Sequence, residues 1–160
     1  MNFKMDKIQV KIVNKSKNPL PAYETVGSAG LDIRADLNKE LSNTVDNIGY
    51  MVYSNTTAVI PTGLFVEIPL GYEIQVRCRS GLAARSNIQV LNGVGTIDSD
   101  FRGEIKVILH NAAGKPFLIK TGDRIAQLVL KESPQLEWKQ VDRLGNTDRG
   151  KGGFGSTGKS

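Results

Sequence analysis

The stretch Tyr72-Glu-Ile-Gln-Val-Arg-Cys-Arg79 alternates between apolar and polar side chains. The even positions, from Tyr72 to Cys78, are apolar, and the odd positions, from Glu73 to Arg79, are polar or charged. Successive side chains of a β-strand point to opposite faces, so this period of two predicts a half-buried strand with one face toward a core.

The same alternation recurs on both sides of this stretch. It is found at Ile8/Val10/Ile12, Leu31/Ile33/Ala35, Leu64/Val66/Ile68 and Ile105/Val107/Leu109. Turn sequences separate the segments, namely Pro61-Thr-Gly63, Pro69-Leu-Gly71, Asn92-Gly93, Ala113-Gly-Lys-Pro116 and Thr121-Gly-Asp123. A helical period is found only in a short stretch near Ser80 to Ser86. Many short strands with frequent turns predict an all-β sandwich, jelly roll or barrel.

Length and composition indicate one globular domain. The chain has 160 residues, of which 39% are hydrophobic and 23% charged. Met1 to Lys15 contains no apolar stretch long enough for a signal peptide or a membrane helix. The single cysteine, Cys78, cannot form an internal disulfide. We therefore expect a cytoplasmic protein.

Two segments lack the alternation. Asn38 to Asn55 is mostly polar, and we interpret it as a surface excursion or an extra hairpin in a β-domain that spans residues 1–145. From Asn146 to Ser160, glycine and hydroxyl residues dominate. Such a stretch buries too little surface to offset the entropy lost on ordering. Residues 146–160 are therefore predicted to be flexible when no ligand is bound.

The net charge and one sequence motif suggest two functions that the surrounding sequence does not support. The net charge of +5 is compatible with nucleic-acid binding, but Phe154 is the only aromatic residue of the basic C-terminal segment, and polyphosphate on a small molecule would suit it equally well. Gly153 to Ser160 matches the P-loop pattern G-x-x-x-x-G-K-[ST]. No helix follows this loop and no βαβ pattern precedes it, so a P-loop NTPase is not predicted.

Few residues can perform catalysis. His110 is the only histidine and ends an apolar strand, Cys78 lies within a strand, and no Cys/His group has zinc-binding spacing. A catalytic base should therefore be a carboxylate, assisted by arginines, backbone amides and a hard cation such as magnesium. This profile is typical of phosphate-ester or phosphoanhydride chemistry.

Five short segments occur in a characteristic order. They are Ala29-Gly-Leu-Asp-Ile-Arg-Ala35, Arg79-Ser-Gly-Leu-Ala83, Asn92-Gly-Val-Gly-Thr-Ile-Asp-Ser-Asp-Phe-Arg-Gly-Glu104, Gly122-Asp-Arg-Ile-Ala-Gln-Leu-Val129 and Arg149-Gly-Lys-Gly-Gly-Phe-Gly-Ser-Thr-Gly158. Their order and spacing resemble the five motifs of the trimeric dUTPase family. The resemblance runs from about Ile8 to Gly158.

This resemblance implies a jelly-roll-like subunit in a homotrimer whose active sites lie at subunit boundaries. It also implies magnesium-dependent hydrolysis of dUTP to dUMP and pyrophosphate, which keeps uracil out of DNA and supplies dUMP for thymidylate synthesis. Asp98 matches the general base that activates the water attacking the α-phosphorus. Asp32 matches the aspartate that contacts the magnesium through water.

The resemblance further implies how substrate is bound. The phosphates would be contacted by Arg79, Ser80, Gly81 and Gln127, with the Ser80 hydroxyl near the α–β bridging oxygen. The hairpin from Ile88 to Asp98 would read the uracil edge. Its residues, and those just after it, that would contact base or sugar are Asn92, Thr96, Ile97, Asp98, Phe101 and Lys106.

The fifth motif is implied to act from a neighbouring subunit as a lid over the active site. Its substrate-binding residues would be Arg149, Phe154, Gly155, Ser156 and Thr157. Phe154 would stack on the uracil, while Arg149, Ser156 and Thr157 would wrap the β- and γ-phosphates. The alternatives that stay open are a dCTP deaminase of the same fold and a nucleotide-sensing relative that binds without turnover.

Overall fold

The computed structural model describes residues 7–37, 44–45 and 49–153. These residues form twelve β-strands and one short helix, so the all-β prediction is confirmed. The elements are β1 (Lys11–Asn14), β2 (Leu31–Arg34), β3 (Thr44–Val45), β4 (Gly49–Val52), β5 (Thr57–Pro61), β6 (Leu64–Glu67), β7 (Tyr72–Arg77), α1 (Ser80–Ser86), β8 (Ile88–Val90), β9 (Gly95–Ile97), β10 (Lys106–Asn111), β11 (Phe117–Ile119) and β12 (Arg124–Glu132).

A four-stranded antiparallel sheet in the order β2-β12-β7-β9 positions much of the predicted site. The central strand β12 places Gln127 opposite Asp32 of β2 on one side and Arg77 of β7 on the other. On the far side of β7, Thr96 of β9 pairs with Gln75. Residues paired across antiparallel strands project from the same face. The register therefore gathers these polar side chains on one face of the sheet.

The other face of this sheet packs into the core. Ile74 and Val76 of β7 are buried, and Ile97 of β9 lies opposite Ile74. The remaining strands form three smaller sheets in the orders β5-β10-β8, β11-β4-β3 and β1-β6. Burying an aliphatic side chain of this size contributes about 1.5–3 kcal/mol, so the apolar half of the Tyr72–Arg79 alternation stabilises the fold.

The stretch interpreted as a surface excursion or an extra hairpin contributes two antiparallel strands where it is described, and one of them reaches the core. β3 and β4 pair as antiparallel neighbours, and β4 also pairs with β11. Val52 at the end of β4 is only 1% exposed. Its carbonyl oxygen accepts a hydrogen bond of 2.9 Å from Nδ2 of the fully buried Asn111. β4 is therefore part of the core, and residues 38–43 and 46–48 lie outside the described residues.

The chain leaves the sheets after β12. Between Ser133 and Asn146 the described backbone has neither helix nor strand, and Leu136, Trp138 and Leu144 are largely exposed. Among the residues described, no helix has the length and apolar character needed to cross a membrane.

Candidate active site

Most of the predicted site residues that the structure describes fall into two groups. The first comprises the predicted residues Asp32, Arg79 and Gln127 together with Arg124, and we call it the arginine–carboxylate cluster. The second lines a cavity between the β8–β9 connection and β10, which we call the hairpin pocket after the hairpin predicted from Ile88 to Asp98. In the structure β8 pairs with β10 and β9 pairs with β7, so these two strands lie in different sheets instead of pairing with each other.

Asp32 is the centre of the arginine–carboxylate cluster. Its Oδ1 accepts hydrogen bonds from Arg79 Nε at 3.0 Å and from Gln127 Nε2 at 3.3 Å. Its Oδ2 lies 3.1 Å from Arg124 Nη1. The Asp32 side chain is only 10% exposed. A carboxylate removed from water requires charged or hydrogen-bonding partners, and this one has two guanidinium groups and an amide.

Arg79 is held at two points. In addition to the Nε contact with Asp32, its Nη1 donates to the backbone carbonyl of Arg124 at 3.0 Å. Nη2 has no hydrogen-bond acceptor in the described part of the chain. Arg79 is also the N-cap of α1, so Ser80 and Gly81 follow it as the first residues of the helix. Two arginines thus surround the inner carboxylate of Asp32, while the second carboxylate near Arg124, that of Glu24, is largely exposed to solvent. The inner part of the cluster is therefore positive, which favours an anionic ligand.

The hairpin pocket has a volume of about 290 Å³, at the lower end of the range for small-molecule sites. It brings together all the residues that were predicted to contact base or sugar. They are Asn92, Thr96, Ile97, Asp98, Phe101 and Lys106, and the lining also contains Gly95, Glu104, Val59, Val76, Ile105 and Ile108. The pocket is therefore mainly apolar, with a few polar groups to orient a ligand.

Asp98 follows directly after β9 and is exposed. Its carbonyl oxygen accepts a hydrogen bond of 3.2 Å from the Phe101 amide, which turns the chain back so that both residues line the pocket. Asp98 also lines a second groove of about 670 Å³, together with Asp100 and Gln135. An exposed carboxylate beside a mainly apolar cavity can accept a proton from a water molecule at its entrance.

Glu104 anchors the start of β10 below the pocket. Its Oε1 accepts hydrogen bonds from the Thr62 and Gly63 amides at 3.2 and 2.8 Å. Its Oε2 lies 3.8 Å from Lys106 Nζ, which places the ammonium group at the pocket. Partial burial, and then the negative charge of Glu104, raise the pKa of the Asp36 carboxyl. Glu104 thus connects the pocket to the β5–β6 turn.

The two groups remain separate within one chain. Asp32, Arg79 and Gln127 are absent from the lining of the hairpin pocket in the described structure. Across the sheet, β2 and β9 are three strand positions apart. At about 4.8 Å per position, this corresponds to about 14 Å between the strand that bears Asp32 and the strand that bears Thr96.

The tail residues are only partly described. Arg149 is exposed, and its Nε donates to the Gly152 carbonyl at 2.9 Å within a local turn. The other predicted tail residues, Phe154, Gly155, Ser156 and Thr157, lie outside the described residues.

Two residues at the site were not singled out from the sequence. Arg124 lies inside the fourth motif and Glu104 ends the third, so residue type and motif position were the available signals. Their partners were not foreseeable, because Asp32 is distant along the chain and the Thr62 amide has no side-chain signal. Arg124 also lies 3.3 Å from the exposed Glu24.

Solved structures define the class of fold. The chain is similar to a mutant dUTPase of Staphylococcus bacteriophage 80alpha with dUpNHpp, with a TM-score of 0.79 and 24% identity over 94% of this chain and 98% of that chain. It is also similar to a mutant dUTPase from phage phi11 of S. aureus, described as revealing the coordination of a structural Mg(II) ion, with a TM-score of 0.71 and 22% identity over 86% and 99%. The jelly-roll-like fold expected from the motifs is confirmed.

Sequence comparisons then identify the family. The dUTPase family model matches residues 16–158. The deoxyuridine 5'-triphosphate nucleotidohydrolase of Finegoldia magna is 48% identical over 151 residues, covering 94% of this chain and 99% of the relative. The enzyme of the same name from Fusobacterium nucleatum is 46% identical over 155 residues, covering 97% and 100%. The chain belongs to the dUTPase family.

Proposed function

We infer that this chain is a dUTP diphosphatase, which hydrolyses dUTP to dUMP and pyrophosphate with magnesium. Membership of the dUTPase family carries this conclusion. The hairpin pocket, with an exposed carboxylate at its edge, is compatible with it. We further propose that the enzyme is a cytoplasmic homotrimer with active sites shared between subunits.

Base and sugar recognition is assigned to the hairpin pocket. The hairpin backbone and Asn92 pair with the uracil edge, and Thr96 and Ile97 lie along the ribose. Phe101 packs against the deoxyribose, where an added 2′-hydroxyl would meet the ring. Oriented polar groups reject a wrong base because the mismatch leaves them without partners, at a cost of about 1–3 kcal/mol each.

The chemical step is assigned to Asp98. Its carboxylate accepts a proton from water while the water oxygen forms a bond to the α-phosphorus. The bond from the α-phosphorus to the α–β bridging oxygen breaks, and pyrophosphate leaves with the electron pair. The Ser80 hydroxyl donates to that bridging oxygen, and Arg79 and Gln127 bind the phosphate chain.

The donor set fits a magnesium ion that is bound through the substrate. The described residues contain no group of three or more Asp, Glu, His or Cys side chains able to hold a metal by themselves. Asp32 already has three nitrogen donors within 3.3 Å of its carboxylate oxygens. The two oxygens of a carboxylate can together accept about four hydrogen bonds. Asp32 therefore retains capacity for one water of a hydrated ion. When bound, magnesium neutralises charge on the triphosphate.

The separation of the two groups supports the shared site. A hairpin pocket from one copy can meet the arginine–carboxylate cluster of another without the 14 Å gap, about three strand spacings, that one chain imposes. Lys106 reaches substrate from the pocket side. Residues 146–160 of a further copy, with Arg149, Phe154, Gly155, Ser156 and Thr157, close over the nucleotide. Light scattering should give the mass of three chains.

A product assay tests the proposed reaction. Incubation with magnesium and each nucleoside triphosphate in turn should release pyrophosphate from dUTP and leave the other nucleotides largely intact. Ammonia from dCTP would instead indicate a deaminase, and binding of dUTP without any product would indicate a sensor. Either result would overturn the proposal.

The catalytic role of Asp98 has a matched control in the same loop. Asp98→Asn should lower kcat about 10²–10⁴-fold, because the amide cannot accept the proton, while dUTP still binds. Asp100 is also exposed but lies outside the lining of the hairpin pocket. Asp100→Asn should therefore retain near-normal kcat. Equal losses in the two variants would refute the assignment.

A further inference from the structure

The third motif contains three glycines, Gly93, Gly95 and Gly103. Backbone conformation requires glycine at one of these positions, and neighbouring side chains require it at the other two. Gly93, in the turn between β8 and β9, has φ of 72°, and a methyl group on its Cα would meet no atom within 4 Å. Its conformation therefore explains it. Gly95 and Gly103 both have φ outside the left-handed range. An alanine could adopt their backbone conformations, so their neighbours must explain why they are glycines.

For Gly103 the neighbour is the Phe101 ring. A methyl group on the Gly103 Cα would lie 2.5 Å from Phe101 Cζ and 2.8 Å from Cε2. Carbon atoms in contact are normally about 3.5–4.0 Å apart. The outer edge of the ring therefore occupies the space that a side chain at position 103 would need.

The surrounding backbone has little freedom to relieve such a collision. Arg102 Nη1 donates to the carbonyls of Ser99 and Phe101 at 2.7 and 2.9 Å. At the other end of the loop, Glu104 is tied to the Thr62 and Gly63 amides. The ring is 42% exposed and lines the hairpin pocket. The ring, rather than the backbone, would move.

We propose that Gly103 is a specificity-determining residue, because the absence of its side chain sets how far the Phe101 ring stands from the sugar of the nucleotide. This inference rests on the proposed function and deepens it. Gly95 shows the same relation on the base side of the pocket, where a methyl group would lie 2.9 Å from Asn92 Nδ2. Gly103 acts only through the ring and does not touch the substrate itself.

The test is the preference for dUTP over UTP, measured as the ratio of their kcat/KM values. Gly103→Ala should lower this ratio about tenfold, mainly by raising the KM for dUTP, since a displaced ring neither packs on deoxyribose nor excludes the 2′-hydroxyl. Gly114→Ala is the matched control, because a methyl group there meets nothing within 4 Å. It should leave the ratio unchanged.

A double-mutant cycle with Phe101→Ala separates a ring effect from a backbone effect. In the Phe101→Ala background, Gly103→Ala should change the ratio less than twofold. An unchanged ratio in the single variant, or an equal loss in both backgrounds, would overturn the inference. If the single variant fails to fold, folding of the double variant supports the ring contact, and failure of both refutes it. Absence of dUTP hydrolysis by the wild type would refute the proposed function instead.

Discussion

In the proposed assignment, the arginine–carboxylate cluster and the hairpin pocket recognise a ligand by opposite means. The cluster consists of long charged side chains around one carboxylate, with Arg79 and Arg124 at 3.0 and 3.1 Å from Asp32. The pocket consists of the turn between β8 and β9, apolar walls and glycines packed against Asn92 and Phe101. Charge acts over several ångströms and tolerates small displacements, whereas steric fit does not. Phosphates suit the first arrangement, and a base and sugar suit the second.

Removal of Arg79 should disrupt the cluster most severely. Arg79→Ala should lower kcat/KM for dUTP about 10²–10³-fold, as does the loss of a donor to a developing charge. Arg79→Lys keeps the charge but not the two-point hold on Asp32 and the Arg124 carbonyl, so it should recover only part of the loss. Steady-state kinetics provides the measurement. If Lys restores full activity, charge alone is sufficient and the fixed geometry is irrelevant.

Substitution of Glu104 tests whether the hairpin pocket depends on the hydrogen bonds that this carboxylate accepts from the Thr62 and Gly63 amides. Glu104→Ala leaves the Thr62 and Gly63 amides without their acceptor, which should lower the free energy of unfolding by about 1–3 kcal/mol. Glu104→Gln retains an acceptor oxygen and should cost less. Urea titration measures both, and a parallel KM for dUTP shows whether the pocket has moved. Equal stability of the two variants would mean that the hydrogen bonds contribute little.

Asp36 provides a pH-dependent test beside the pocket. Burial and the charge of Glu104 raise the pKa of its carboxyl, so the folded chain binds this proton more tightly than the unfolded chain. The resulting stability is present below the usual carboxyl pKa of about 4 and is lost as pH rises through the raised value. Asp36→Asn should therefore stabilise the protein at neutral pH, by less than about 1 kcal/mol after solvent screening. The exposed Asp142→Asn controls for the lost charge in thermal melts. Stabilisation that persists unchanged at pH 3 would contradict this account.

The exposed ion pair between Lys11 and Glu67 is the reference against which the partly buried ion pairs of the arginine–carboxylate cluster are compared. Lys11 Nζ lies 2.8 Å from Glu67 Oε1, and this hydrogen bond, followed by the lysine charge, lowers the pKa of Glu67. Its stabilising effect is present above the usual carboxyl pKa and is lost as pH falls through the lowered value. Glu67→Gln should scarcely change the melting temperature, because water and salt screen an exposed pair. A drop of several degrees in the melting temperature would mean that this exposed pair is not screened in the expected way.

Local sequence was sufficient for most elements, whereas the predicted residues of the pocket followed from the resemblance of the third motif to a known family. The alternation of Tyr72–Arg79 predicts β7, and the short helix near Ser80 to Ser86 coincides with α1. Asp98 and Phe101 lie in one motif, so they reach one cavity without knowledge of the fold. The elements depend on neighbours along the chain, which a periodic pattern records, and the pocket residues depend on a motif that a periodic pattern does not record.

The other features of the fold and of the site depend on contacts between segments that are far apart along the chain. Gln127 faces Asp32 only because β12 lies between β2 and β7, and no local period encodes that strand order. The Glu104 contact with the Gly63 amide links two turns through a backbone group that carries no side-chain signal. Val52 lies in the stretch interpreted as a surface excursion or an extra hairpin, and its burial beside Asn111 depends on a contact that local composition does not encode.

The exposed segment after β12 gives the protein an optical property. Trp138 is the only tryptophan of the chain and is 85% exposed. Its indole meets water in both the folded and the denatured single chain, so its fluorescence should report poorly on melting of the β-sheets. Contact of this segment with another surface would instead shift its emission to shorter wavelengths. The tryptophan fluorescence of this chain is therefore a probe of association rather than of folding.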